Sequence, residues 1–114
     1  MVFAAIDIGS NAVRLFLANV FDHNGLVMLE KYSLLRVPLR LGIDVFTKGE
    51  ISEQKIVKFV QTMQAFKLLI DVHEPVAYRV CATAAMREAS NNNEVIDIIE
   101  KESGIKIKII DGIE

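Results

Sequence analysis

An aspartate near the N-terminus closes a short apolar run, and a Gly-Ser-Asn turn follows it: Ala5-Ile6-Asp7-Ile8-Gly9-Ser10-Asn11. These residue types bring a carboxylate, a hydroxyl, an amide and successive backbone N–H groups into a few positions. Glycine lets the backbone approach a ligand closely, and consecutive N–H groups in such a turn make a small anion-binding nest suited to phosphate oxygens. Asp7 would repel phosphate directly, so its chemistry is to hold a cation or an attacking water. The same pattern also joins ordinary hairpins, and both readings stand on these residues alone.

The elements around the turn must hold it in place. Residues 3–8 and 12–21 are predicted strands on either side of it. Asp22-His23-Asn24-Gly25 is a second turn, with the Asn-Gly pair typical of a tight hairpin. Residues 26–36 then complete a three-stranded antiparallel meander. Residues 36–49 mix Pro38, glycines, arginines and apolar residues without a period. They predict a loop, or a loop with a short helix, that reaches over a site. Ser52 is a good N-cap for a long helix to about residue 70, whose Ile56, Phe59, Val60, Met63, Phe66 and Ile70 share one apolar stripe. After Pro75, residues 76–81 are apolar apart from Arg79, which predicts a strand buried on both faces. Residues 83–93 predict a polar-capped helical turn, and 94–103 a helix closing at Gly104. A fifth strand over 105–110 and a turn at Asp111-Gly112 follow. The order β-β-β-α-β-α-β is an α/β plan: an antiparallel meander continued by parallel strands reached through helical crossovers.

Composition narrows the function classes. A chain of 114 residues, 52% apolar and 25% charged, is one globular domain with a single core. Thirteen basic against fifteen acidic residues leave a net charge of -2, so no global basic field recruits nucleic acid. A polyanion must be held by a local group of arginines. The lone Cys81 excludes a disulfide framework and a cysteine-based metal site. His23 and His73 carry no flanking ligand pattern. No apolar run reaches membrane-span length and no basic signal-peptide opening is present, so no membrane association and a cytoplasmic location are expected.

Three stretches then line up with the exopolyphosphatase and guanosine pentaphosphate phosphohydrolase family. Asp7-Ile8-Gly9-Ser10-Asn11 with Val13-Arg14-Leu15 resembles that family's opening phosphate motif. Arg40-Leu41-Gly42 is similar to its Arg-Leu-Gly loop. Ala82-Thr83-Ala84-Ala85-Met86-Arg87-Glu88-Ala89-Ser90-Asn91 resembles its Ala-Thr-Ser/Ala-Ala-Xaa-Arg-Xaa-Ala-Xaa-Asn signature. The tail Ile109-Ile110-Asp111-Gly112-Ile113-Glu114 resembles the strand and turn before the family's Glu-Glu-Ala-Arg helix. The resemblance spans the whole chain. It implies a ribonuclease H-like lobe of the sugar kinase, heat-shock chaperone and actin superfamily, with a mixed five-stranded sheet. It also implies that residues 1–114 are the N-terminal phosphate-binding lobe alone, ending before its last helix, with the second lobe absent.

The resemblance further implies roles. Glu114, or the residue following it, is the general base. Asp7 helps place Mg²⁺ or another divalent cation, or the water. Gly9, Ser10 and Asn11 bind a phosphate, while Arg87 and Arg40 neutralise further phosphates through the guanidinium fork. Asn91 binds a phosphate or caps the next helix. Arg14 is a ligand or a solvent-facing strand residue. Thr83 caps the turn carrying Arg87, with a direct phosphate contact as its alternative role. Ala12 and Ala84 stand where the family often has serine, each losing a hydroxyl donor of about 1 kcal/mol. The implied reaction is hydrolysis of the terminal phosphoanhydride of polyphosphate or guanosine pentaphosphate, by a homodimer in the parent protein. A non-catalytic sensor of these ligands and a sugar-kinase-type phosphotransferase are the alternatives; the Ala-Thr-Ala-Ala-Xaa-Arg stretch and the final glutamate favour hydrolysis. Residues 1–114 alone are expected to be inactive, with half the phosphate ligands missing, and to self-associate through an uncovered cleft face.

Overall fold

Alternation of apolar and polar residues builds the first three strands. The structure, a computed structural model, describes residues 1–109. In β1 (Val2–Ile8), Ala4, Ile6 and Ile8 are buried on one face while Ala5 and Asp7 are only half-buried on the other. β2 (Val13–His23) turns Val13, Leu15 and Leu17 to the same buried side. It pairs antiparallel with β1 from Val2↔Asn19 to Ile8↔Val13. β3 (Leu26–Val37) pairs antiparallel with β2, with a register shift between Leu15 and Phe16. Asn24 and Gly25 join them with φ of 53° and 82°, the two left-handed positions that a tight hairpin turn demands. Past the end of β1, the hairpin continues as an exposed two-stranded ribbon.

Helices then cross over to parallel strands. β4 (Ala77–Ala82) runs parallel to β1, and β5 (Lys108–Ile109) parallel to β4, giving the sheet order β3-β2-β1-β4-β5. Between β3 and β4 lie α1 (Leu41–Lys48) and α2 (Glu53–His73). Between β4 and β5 lie α3 (Ala84–Glu88) and α4 (Asn92–Ser103). Phe59, Met63 and Phe66 of α2 and Val95 and Ile99 of α4 are fully buried, in one cluster with Ile6, Leu15 and Leu17 of the sheet. The mixed five-stranded α/β plan expected from sequence is the plan observed.

One open alternative is decided by the structure and one expectation needs correction. The segment 36–49 takes its helical alternative, because Leu41, Gly42 and Val45 turn one face into the core. β4 is not buried on both faces. Val80 and Ala82 are buried, but Ala77, Tyr78 and Arg79 are exposed and Cys81 is half-buried. Among the described residues, the helices that pack on the sheet contribute to one core on one side, so the other face of β1, β2 and β4 stays open. An apolar run distinguishes a strand from a loop, but not one covered face from two.

The corner between α1 and α2 is built from polar contacts. Ser52 N-caps α2, its hydroxyl accepting the Lys55 N–H at 3.3 Å. The Ser52 N–H in turn donates to Asp44 Oδ2 at 3.1 Å. Hydrogen bonding from Ser52 holds the Asp44 carboxyl below its ordinary range, against the opposing effect of burial, with Lys55 and Lys48 assisting. A carboxyl depressed on folding stabilises the fold above its unfolded value and loses that contribution as pH falls through its folded value. Asp44→Ala is therefore expected to lower stability by about 1 kcal/mol at neutral pH. In urea titrations the gap to the unaltered protein should close as pH drops below the carboxylate range; a gap independent of pH would contradict it.

Candidate functional site

The turn after β1 is tied down from both sides. The Gly9 N–H donates to Ala12 O at 3.0 Å, closing the turn, so this N–H is not available to an anion as the sequence suggested. Among the described residues, the N–H groups of Ser10 and Asn11 make no hydrogen bond. The Arg40-Leu41-Gly42 segment docks on this turn through two backbone bonds: Arg40 N–H to Asn11 O at 3.0 Å and Gly42 N–H to Ser10 O at 2.9 Å. A Cβ at Gly42 would stand 2.9 Å from Ser10 Cβ and 3.3 Å from Ser10 O, so the approach requires glycine.

Arg40 precedes α1 in the left-handed region, with φ 56° and ψ 47°. A non-glycine residue there costs about 1–2 kcal/mol and persists where its surroundings over-determine it. Those surroundings are present. Asn11 O holds its N–H, and Lys55 Nζ donates to Leu39 O and, at 3.3 Å, to Arg40 O.

Two cavities flank the turn. The first, of about 390 Å³, lies on the open sheet face, where Asp7 meets Arg14, Arg79, Cys81 and Thr83, with Lys31 and Phe16 at its side. Lys31 Nζ stands 4.5 Å from the Phe16 ring centroid, a cation–π contact. The second, of about 460 Å³, is lined by Asn11, Arg36, Pro38, Arg40 and Ile43. Asp7 is the single carboxylate of either lining. Among the described residues no three metal-ligating side chains cluster. One carboxylate still suits Mg²⁺, which is commonly held by one or two carboxylates with water and substrate phosphates completing its shell.

The other expected site residues divide. Thr83 does not cap α3 through its side chain; its hydroxyl turns back to Ile8 O at 3.4 Å, which leaves it lining the Asp7 cavity. Asn91 does not cap α4 with its side chain and lines neither of these two cavities. Its Oδ1 accepts the Ile51 N–H at 3.1 Å and its Nδ2 donates to Ile51 O at 2.9 Å, so the amide clamps two loops together. Arg87 is exposed at the C-terminal end of α3, with Nε 3.8 Å from Glu88 Oε1, outside both linings. Glu114 lies outside the described residues. Sequence reading passed over Arg36, Lys31 and Arg79; strand alternation in register with Asp7 was the signal that carried them.

A family model described as the Ppx/GppA phosphatase family matches residues 20–114. The chain belongs to that family. It is 25% identical, over 114 residues, to exopolyphosphatase 1 of Mycobacterium leprae, covering 100% of this chain and 33% of the relative. Among solved structures, the Ppx/GppA family member of Aquifex aeolicus superposes with a TM-score of 0.80 at 30% identity, over 96% of this chain and 35% of that one. An exopolyphosphatase from Cytophaga hutchinsonii gives 0.81 at 29% identity, over 98% and 35%. The ribonuclease H-like lobe is thereby shown, and the chain spans about a third of the length of these relatives. Among the described residues no helix is long and apolar enough to cross a membrane.

The Gly42–Ser10 approach gives a direct test. Alanine normally favours a helix over glycine by about 1 kcal/mol, but only in helix interiors. At the first turn of α1 that gain is small, while the added methyl must push two backbones apart. Gly42→Ala is expected to destabilise by about 1–3 kcal/mol in urea unfolding. Ile43→Ala, at an exposed neighbour, should stay within about 0.5 kcal/mol. Equal effects would mean that the close approach does not matter.

Proposed function

We propose that this chain is the N-terminal phosphate-binding lobe of a phosphohydrolase that removes the terminal phosphate of inorganic polyphosphate or guanosine pentaphosphate. The observation that carries the reading is the docking of Arg40-Leu41-Gly42 onto Gly9-Ser10-Asn11 beside Asp7. It sets open N–H donors and a guanidinium-bearing segment next to one carboxylate. Phosphoanhydride hydrolysis needs this kind of arrangement: charge neutralisation on non-bridging oxygens and an aligned water.

The residues take these parts. The Ser10 and Asn11 N–H groups and the Arg40 guanidinium bind phosphate oxygens. Asp7, with the Thr83 hydroxyl beside it, orients the water or holds Mg²⁺, which when bound would offset phosphate charge. Glu114, by the resemblance of its motif, takes the proton as the water oxygen bonds to the terminal phosphorus. The phosphoanhydride P–O bond breaks, and its electron pair leaves on the shortened chain. Arg87 on α3 supports phosphates that approach from the second lobe. The parent protein acts in the cytoplasm as a homodimer, and residues 1–114 alone lack half the phosphate ligands.

Phosphate release from long-chain polyphosphate and from guanosine pentaphosphate, with Mg²⁺, tests the reading. The full-length protein should release phosphate, and Glu114→Gln should lower kcat by about 10²–10⁴. Residues 1–114 alone should release none. Full activity in Glu114→Gln would transfer the base to the next residue. Tight binding without any release would make the protein a sensor and reject the hydrolase.

A further inference from the structure

Lys55 is a cation where its own helix has no use for one. It is the third residue of α2 and lies in the first turn, where aligned peptide dipoles favour acidic side chains over basic ones. Among the described residues it makes no ion pair, although the Asp44 carboxylate is near enough to be stabilised by its charge. The side chain is half-buried, and its ammonium donates instead to two backbone carbonyls, those of Leu39 and Arg40.

These carbonyls belong to the two peptide planes that meet at the Arg40 Cα. The φ and ψ of a residue are the relative orientation of those planes. Asn11 O holds the first plane through the Arg40 N–H at 3.0 Å, and the Ile43 N–H holds the second through Arg40 O at 3.2 Å. Among the described residues, Lys55 Nζ is the one group bonded to both planes. A single donor reaches both carbonyls only when they turn to the same side. A helical φ and ψ of either hand allows this and an extended conformation does not. The contact with Lys55 therefore closes the extended route by which a non-glycine residue would leave the left-handed region.

The Arg40 side chain lines the cavity that also holds Asn11, and the direction in which it leaves the backbone follows from that φ and ψ. We infer that Lys55 is a positioning residue for Arg40: it locks the left-handed backbone, so that the guanidinium meets phosphate without first being ordered. The inference rests on the proposed function for the ligand of Arg40. Lys55 lines neither the Asp7 cavity nor the Arg40 cavity, so it acts through the backbone and not on the ligand.

The test is calorimetric titration of the full-length protein with inorganic tripolyphosphate at about 0.15 M salt, where distant exposed charges are screened, alongside phosphate-release kinetics from long-chain polyphosphate. Lys55→Met keeps the stem and removes the donor. It is expected to weaken binding about threefold to tenfold, because a smaller fraction of the free protein then holds Arg40 ready, and to raise KM more than it lowers kcat. Lys55→Arg can still donate to both carbonyls and should restore most of the affinity. Arg40→Gln alone should weaken binding about tenfold. Adding Lys55→Met to Arg40→Gln should weaken binding no further, since the side chain being positioned is already gone. A further loss in the double variant, equal to that of Lys55→Met alone, would mean that Lys55 acts by direct charge or through general stability, and overturns the inference. Unchanged affinity in either single variant overturns it as well. Binding without phosphate release, with the same non-additive pattern, rejects the hydrolase and keeps the positioning role. Release with affinity and KM unchanged in both single variants rejects the positioning role and keeps the hydrolase.

Discussion

The backbone approach between Gly42 and Ser10 sets the position of everything around the candidate site. It closes the first turn of α1 onto the β1–β2 turn at a distance that a Cβ would violate. Arg40 is held in its left-handed conformation by the same docking, since its N–H is committed to Asn11 O. From there the constraint passes through a series of polar contacts. Asp44 receives the Ser52 N–H, Ile51 is clamped by Asn91, and the Ser90 N–H reaches Gly49 O at 2.8 Å. Asn92 Nδ2 continues the series to Met86 O at 3.0 Å. The loops on the helical side are thus braced against one another and against the turn. A turn proposed to bind phosphate gains from such bracing, because donors already in place need no ordering when a ligand arrives.

The strands were legible because their periods are short and local. Alternation in residues 2–8 and 13–17 sends Ala4, Ile6, Ile8, Val13, Leu15 and Leu17 to one face, and Asn24-Gly25 supplies the positive φ values that a tight return needs. The caps at Ser52 and Gly104 were equally local signals. α1 was less legible, since its glycine reads as a loop residue until Ser10 is seen beside it. β4 looked buried on both faces because an apolar run carries no information about which layers the rest of the chain provides. The clamp made by Asn91 was not legible for a related reason: an amide before a helix suggests a cap or a ligand, whereas Ile51, forty residues away in sequence, offers its side chain both a donor and an acceptor.

The site's electrostatics depend on register more than on totals. A net charge of -2 describes a mildly acidic chain, yet Arg14, Lys31 and Arg79 surround a single carboxylate in one cavity, and Arg36 and Arg40 share another. Pairing across β4, β1, β2 and β3 produces this concentration from residues that are well separated in sequence. The shift between Leu15 and Phe16 lies just beyond the pair of Arg14 with Arg36. A slip of one residue would turn Arg36 to the opposite face, into the core side of the sheet. The bulge therefore lets the ribbon beyond it keep its own pairing while the Arg14–Arg36 opposition is preserved.

Asp7 and the arginines that line its cavity would have complementary effects on the phosphate chain proposed as ligand. A carboxylate in isolation would repel phosphate, and arginines without it would bind phosphate but orient no water. Strand spacing of about 4.8 Å puts Asp7 one strand from Arg14 and two from Arg36, so charge changes sign across the sheet within the reach of one phosphate chain. Such a gradient favours a chain whose reacting end lies toward Asp7 and whose anionic length extends toward β3. Because these residues are carried on paired strands, their spacing is set by the hydrogen-bond ladder and not by loop conformation. For the phosphate chain proposed as ligand, the direction of binding would thus be specified by backbone geometry, with the side chains supplying only the sign of the charge.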